Sequence, residues 1–280
     1  MPIFQPLDWC PSALTSPAKT EMSGIPDEIR DIRYPFRLLR YWMIHQLLLA
    51  EAVRREGTPM RVCEIDVDNG QMLVFSQKAL EAANQSIPWN EWHAVDCLPN
   101  HEQLQKAGYG QIFHINIEDS EQMAQLQRGH YDVVIVLHLL EHLHVPGRAL
   151  ADIHNLLKPG GIILGGCPVT PEIARPFWQR KLRRNHRPFG HVSVVSGPLL
   201  RRWAEYLGLQ TELMTGAFFM RKKGFALENY VWWLRLNLAF GSLFPSWPGE
   251  IYWSWRKTTP PAAPLVESAA QRPLPDTSAS

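Results

Sequence analysis

One short segment concentrates the side chains most able to do chemistry: His138, Glu141, His142 and His144. If this stretch is helical, positions 138, 141 and 142 share a face, because residues three and four apart are neighbours on a helix. A histidine titrating near neutrality could take a proton from an acceptor hydroxyl. The His-x-x-Glu-His spacing could also hold a divalent ion, and with imidazole in first place it suits zinc or iron better than magnesium. The plainer role is structural, with Glu141 and His142 ordering the loop and capping the next helix. We take His138, Glu141 and His142 as the candidate catalytic set and expect no bound metal.

A second concentration is acidic. Glu64-Ile65-Asp66-Val67-Asp68-Asn69-Gly70 follows an apolar run, and Asp96 ends another. A carboxylate at such a place can accept both hydroxyl hydrogens of a ribose, although Asp also opens turns before a proline-containing loop. The string from Asp66 to Gly70 is not a calcium loop: its glycine comes one place early, and position twelve is Gln77 rather than Glu. Nor does the chain carry the G-x-G-x-x-G fingerprint of dinucleotide oxidoreductases.

The elements that must position these groups can be read from patterning. Apolar runs at 61–66, 91–97, 111–117, 131–138 and 161–167 alternate with helix-like segments. Near-continuous apolar strands separated by helices predict a parallel sheet covered on both faces. Leu38, Trp42, Leu49 and Val53 recur near the helical period, closed by Gly57 and Pro59, so a helix should precede the sheet. Leu150, Ile153 and Leu157 form a second stripe, stopped by Lys158-Pro159-Gly160-Gly161. Ser196 can cap a helix carrying Leu199, Leu200, Trp203 and Leu207, and candidate strands follow at 209–216 and 250–257. We divide the chain into an N-terminal extension with a helix (1–59), a main domain (60–258) and a Pro/Ala/Ser tail (259–280). The first ~25 residues and the tail offer little to bury and read as loosely ordered.

Composition narrows the function classes. Of 280 residues, 45% are apolar and 20% charged, enough for a sizeable core. Lys plus Arg at 28 against Asp plus Glu at 27 gives +1, which argues against general nucleic-acid binding. Cys10, Cys63, Cys97 and Cys167 are too scattered for a disulfide scaffold or a thiol zinc module. The N-terminus shows no basic stretch followed by an apolar run, so a cytoplasmic protein is expected.

The stretch Tyr131-Asp132-Val133-Val134 through Leu140-Glu141-His142-Leu143, followed by Leu157-Lys158-Pro159-Gly160-Gly161, resembles class I S-adenosylmethionine (SAM)-dependent methyltransferases. Gly190 to Ser196 and Leu207-Gly208-Leu209 resemble the same family's substrate-side strand and helix. The resemblance runs from about Met60 to Gly224, with Pro245 to Lys257 matching the final strand. It implies an α/β, Rossmann-like three-layer sandwich whose seven-stranded sheet is mostly parallel, with an antiparallel last strand. It also implies SAM across the strand ends. Asp96 would hold the ribose, Asn116 and Ile117 would sit by the adenine, and Leu137 and His138 would lie near the methionyl part. Glu64, Asp66, Asp68 and Gly70 would form the loop under the cofactor. That loop departs from the family, which usually has glycine where Asp66 and Asp68 stand; Asn116 also replaces a more usual Asp.

Eight basic residues (Arg175, Arg180, Lys181, Arg183, Arg184, Arg187, Arg201 and Arg202) lie between Ile173 and Ala204 without an acidic residue, interleaved with Phe177, Trp178 and Phe189. They suit an anionic acceptor or surface, or simply a solvated helix face. The apolar stretch 230–247 carries Arg235 and Asn237 and is too short to span a membrane. It could cover an aromatic or lipid-like acceptor, touch a membrane peripherally, or pack on the sheet. The expected activity is methyl transfer from SAM to a small molecule. The alternative is a non-catalytic binding or scaffold protein in which Asp66 obstructs the cofactor loop. Nucleic-acid methylation is not expected, since no N/D-P-P-Y/F string follows the fourth run.

Overall fold

The computed structural model describes residues 34–184, 190–217, 227 and 230–258. The first ~25 residues and the 259–280 tail, both expected from sequence to be loosely ordered, lie outside the described residues, as do Arg187 and Phe189. The helices are α1 (Tyr34–Arg54), α2 (Gln71–Ala82), α3 (His101–Ala107), α4 (Ser120–Met123), α5 (Pro146–Leu156), α6 (Arg175–Arg184), α7 (Gly197–Tyr206) and α8 (Val231–Leu243). The strands are β1 (Met60–Ile65), β2 (Trp89–Asp96), β3 (Ile112–His114), β4 (Tyr131–Leu137), β5 (Leu157–Val169), β6 (Leu209–Gly216) and β7 (Gly249–Lys257).

The strands form one seven-stranded sheet in the order β3-β2-β1-β4-β5-β7-β6. The pairs from β3 to β5 are parallel, and β7 runs antiparallel to both its neighbours. Strand order reverses between β1 and β4, the place where α/β sheets open a crevice at the strand carboxyl ends. Two apolar cores flank the sheet. One gathers Leu39, Ile44, Leu48, Val62, Phe75 and Val133, and the other gathers Val95, Val134, Leu150, Ile163, Trp253 and Trp255. The expected α/β three-layer architecture with an antiparallel last strand is the one found.

Several boundaries differ from the sequence reading, each for a physical reason. Lys158-Pro159-Gly160-Gly161 does not separate helix from strand. α5 ends at Leu156, and β5 already pairs Leu157 with Tyr131 before a register shift to Ile162–Val133. Gly160, at φ +77°, takes up the extra residues. The third run is ordered as strand only over Ile112–His114. In α1 the buried positions include Leu39, Trp42, Ile44 and Leu48, so Trp42 of the expected stripe lies in the core, whereas Val53 is 80% exposed. Ser196 does cap α7, its Oγ accepting from the Leu199 N–H at 3.3 Å.

Two residues of the Tyr131–Gly161 pattern act as braces. The buried Asp132 carboxylate accepts from Lys158 Nζ at 2.8 Å and the Arg61 N–H at 2.9 Å, and it pairs with Arg55 at 3.0 Å. Trp253 and Trp255 are fully buried in β7. Trp253 faces Gly165 across the β5–β7 pair, and a Cβ there would lie 2.1 Å from its ring.

Candidate active site

The loop after β1 keeps a glycine-like backbone without the glycines. Asp66 sits at φ +62°, Asp68 at +49° and Gly70 at +75°. Aspartate enters this left-handed region more readily than most residues, because its short side chain bonds locally. Gly70 is also required by packing, since a Cβ would come within 2.9 Å of the Tyr109 ring. Asp66 and Asp68 thus adopt backbone conformations that ordinarily favour glycine.

Asp96 at the end of β2 holds this loop. Its Oδ2 accepts from the Val67 N–H at 3.0 Å and the Asp68 N–H at 3.3 Å, and its Oδ1 from the Leu98 N–H at 2.8 Å. The carboxylate is buried, and three of its roughly four acceptor positions are occupied by backbone. Below the loop, buried Glu64 accepts the Trp92 indole N–H at 3.0 Å and the Tyr109 hydroxyl at 2.6 Å. Desolvation pushes its carboxyl up to about 7, against the lowering effect of those two bonds. Asp66 reaches solvent at the cleft mouth, yet most of its surroundings are protein. Desolvation, reinforced by Asp96, pushes its carboxyl up to about 6.

These groups border a cleft of about 120 Å³ lined by Glu64, Asp66, Asp68, Leu137, His138 and, from α1, Arg40. Tyr41, Val67, Gln71 and Met72 complete the lining. Its volume is well under the roughly 300–1,000 Å³ of typical ligand pockets. Asn116 and Ile117 are not in its lining. Ile117 is buried in the second core, and Asn116 is exposed, its Oδ1 accepting from the Glu118 N–H at 3.0 Å.

The segment after β4 is a 3₁₀ turn over Leu140–His142, not a regular helix. His138 lies just before it at φ +59°, and its N–H donates to Gly166 O at 2.7 Å. The turn brings His138 Nδ1 to 3.0 Å from Glu141 Oε1, while His138 Nε2 lies 3.5 Å from Glu250 Oε1. Arg40 Nη2 donates to the same Glu250 oxygen at 3.2 Å, and the Tyr252 hydroxyl to the other at 2.6 Å. Burial alone would lower the His138 pKa, but Glu250 and Glu141 outweigh it and the net direction is up. His142 turns elsewhere: its Nδ1 lies 3.3 Å from Gly190 O, its ring meets His191 edge-to-face at 5.0 Å, and Glu141, His142 and His191 form a His/Glu group whose potential ligand atoms lie within 4.8 Å of one another. His138 and Glu141 are therefore joined, and His142 points to the 190–191 segment.

Arg40, Glu250 and Tyr252 went unread in sequence. Arg40 left one signal, a cation set between Leu39 and Tyr41, which α1 buries. Glu250 left another, an acid opening an alternating strand in which Tyr252 follows on the same face. The basic segment has no buried residue in α6. Arg175 and Arg202 pair with Glu172 at 3.3 and 3.0 Å, and Lys181 lies 4.6 Å over the Trp178 ring. On and beside α8, Trp232, Leu236, Leu243, Phe244 and Trp247 are exposed, whereas Trp233, Asn237 and Leu238 are buried. Among the described residues no helix is long and apolar enough to cross a membrane.

No curated protein matches the chain in sequence. Among solved structures it is similar to a candidate sarcosine dimethylglycine methyltransferase from Galdieria sulphuraria, with 13% identity and TM-score 0.54 over 81% of this chain and 87% of that one. It is similar to the [4+2]-cyclase SpnF, with 15% identity and TM-score 0.52 over 89% and 94%. The N-methyltransferase NodS from Bradyrhizobium japonicum WM9 gives 13% identity and TM-score 0.50 over 80% and 98%. At such identities the likeness is one of fold, and the cyclase shows that this fold hosts more than one chemistry. The sequence comparison is more specific, because residues 38–213 match the model of a methyltransferase domain. With most of its length covered and the seven-stranded sheet in place, the chain belongs to the methyltransferase-domain family.

Proposed function

We propose that the protein is a SAM-dependent methyltransferase acting on a small-molecule acceptor. The observation that carries this reading is the left-handed backbone retained at Asp66, Asp68 and Gly70, at the sheet's switch point. The cleft's donor set suits the methionyl end of SAM: Asp66 and Asp68 complement a cationic amine and sulfonium, and Arg40 complements a carboxylate. Leu137 offers an apolar contact. When bound, SAM supplies an electrophilic methyl group, and transfer from a sulfonium often needs little more than a well-positioned nucleophile. We assign His138 to proton handling on the acceptor side, with Glu141 and Glu250 fixing its ring and favouring its charged form. His142 is assigned to the acceptor contact with the 190–191 segment. The exposed aromatics around α8 and the basic α6 favour an apolar or anionic acceptor. The same aromatics would serve peripheral membrane contact of an otherwise cytoplasmic protein.

Titration calorimetry with SAM and with its demethylated product tests this reading. We expect micromolar affinity for both, and absence of heat and of thermal shift with either would refute it. A second reading, a non-catalytic binding protein, draws support from the small cleft and from the near-saturation of Asp96. The double variant Asp66→Gly/Asp68→Gly separates the two: SAM binding that appears only in the variant favours the second.

A further inference from the structure

The amino-terminal ends of the same strands carry a separate constellation. Glu91 and His93 stand two residues apart in β2 and so project from one face, and His130 immediately precedes β4. Glu91 Oε2 lies 3.3 Å from His130 Nε2 and 3.7 Å from His93 Nε2, and the three potential donor atoms lie within 4.8 Å of one another. Donors around a tetrahedral zinc at about 2.0–2.1 Å are separated by roughly 3.4 Å. The two imidazole planes are 13° apart, with centroids 6.1 Å from each other, so both rings turn an edge toward the same carboxylate oxygen.

The outer contacts orient each ligand atom. The Tyr131 hydroxyl lies 3.0 Å from His93 Nδ1. In the tautomer whose Nδ1–H donates to that hydroxyl, Nε2 keeps its lone pair toward Glu91, as in metal sites with an oriented histidine. Arg61 Nε pairs with Glu91 Oε1 at 3.2 Å, which leaves Oε2 facing the two rings. A cavity of about 460 Å³ opens over these side chains, bordered also by Gln111, Phe113 and Gln127. It leaves room for a water or a small ligand in a fourth position.

We propose that Glu91, His93 and His130 form a binding site for a divalent transition ion of the zinc class, with a fourth coordination position open to this cavity. Two imidazoles and one carboxylate suit zinc, or iron(II), and not the all-oxygen preference of magnesium or calcium. The site stands at the other end of β4 from His138, about 26 Å away along the strand from His130. It is therefore independent of the proposed methyl transfer.

The test uses the full chain, freed of metal by chelation, and Zn²⁺ alone as probe in titration calorimetry. Co²⁺ as a second probe reports geometry through its visible absorption. We expect one ion per chain with a tetrahedral Co²⁺ spectrum, and binding at least 100-fold weaker in His130→Ala and in Glu91→Gln. The double variant His142→Ala/His191→Ala, which alters the other His/Glu group, should keep this site. His130 follows a turn and Glu91 is part-exposed, and thermal unfolding of the metal-free variants checks their folding. Should His130→Ala not fold, Glu91→Gln alone decides. Absence of stoichiometric Zn²⁺ binding, wild-type affinity in the folded Glu91 or His130 variant, or loss of binding only in the His142/His191 variant would each overturn the proposal.

Discussion

Replacing Glu64 by Gln should make the protein's stability markedly less sensitive to pH. Glu64 is fully enclosed below the β1 loop, and its pKa is pushed up to about 7 mainly by desolvation. In the unfolded chain the same group titrates near 4.3. Between those values the native state binds more protons than the unfolded state, so stability falls as pH rises through the window. Integrated across it, the single carboxyl removes about 3 kcal/mol of stability by pH 8. Gln has a similar shape and keeps a carbonyl oxygen to accept from the Trp92 indole and the Tyr109 hydroxyl. It never ionises. Changing a charged acceptor for a neutral one forfeits part of those two bonds, about 1 kcal/mol. Glu64→Gln should therefore be near wild type or slightly weaker at pH 5, and more stable by about 2 kcal/mol at pH 8. Urea denaturation followed by tryptophan fluorescence at the two pH values gives both numbers. An unchanged difference between pH 5 and pH 8, or a variant less stable than wild type at pH 8, would show that burial does not govern this group.

Other expectations follow from the same contacts. Gly165→Ala places a methyl 2.1 Å from the Trp253 ring and should cost about 3 kcal/mol or more in urea denaturation; a loss below 1 kcal/mol would mean that β5 and β7 can separate locally. Asp96→Asn replaces an acceptor-only group with one that must turn a donor toward backbone N–H groups, and about 2 kcal/mol should be lost in the same assay. If SAM binds through Asp66, its affinity should fall as pH drops below about 6, where that carboxyl takes up a proton. Calorimetry on Asp66→Asn should give a flatter profile, and an equally steep one would move the dependence to another group.

The sheet was legible because buried strands must be largely apolar, as β4 and the Ile162–Cys167 part of β5 are. Its edges were not. Lys158-Pro159-Gly160-Gly161 carries every local stop signal, yet the pairing partner on β4 extends past it and draws the segment into the sheet. The stripe of α1 was read only in part: Trp42 lies in the core, but Val53, which keeps the same period, is exposed, because only the sheet beneath decides how far along the helix a stripe is buried. At the candidate site, the left-handed backbone of Asp66 and Asp68 was within reach, since Asp is among the few residues able to stand in for glycine there. The engagement of Asp96 by three N–H groups could not be read, because those donors are backbone and leave no mark in residue type. The Arg40–Glu250–His138 assembly was equally hidden, its members brought together from positions 210 and 112 residues apart along the chain. Glu91 and His93 share a strand face by simple alternation, but His130 joins them only through the sheet.

Helix α1 is tied to strand β7 twice, by Arg40 to Glu250 and by Glu51 to Arg256 at 2.9 Å. During synthesis the helix emerges about two hundred residues before the strand that completes these pairs. Until then Glu51 and the apolar face of α1 have nothing from β7 to meet. The cleft wall that carries Arg40 should be among the last parts to become native, since contacts so distant in sequence form only after a large loop has closed. A nascent chain halted before Gly249 would hold the β1 loop and the β4 histidine without the acid that joins Arg40 to His138. Capacity to fill the cleft should thus arrive late and abruptly, with the last strand, and not build up gradually along the chain.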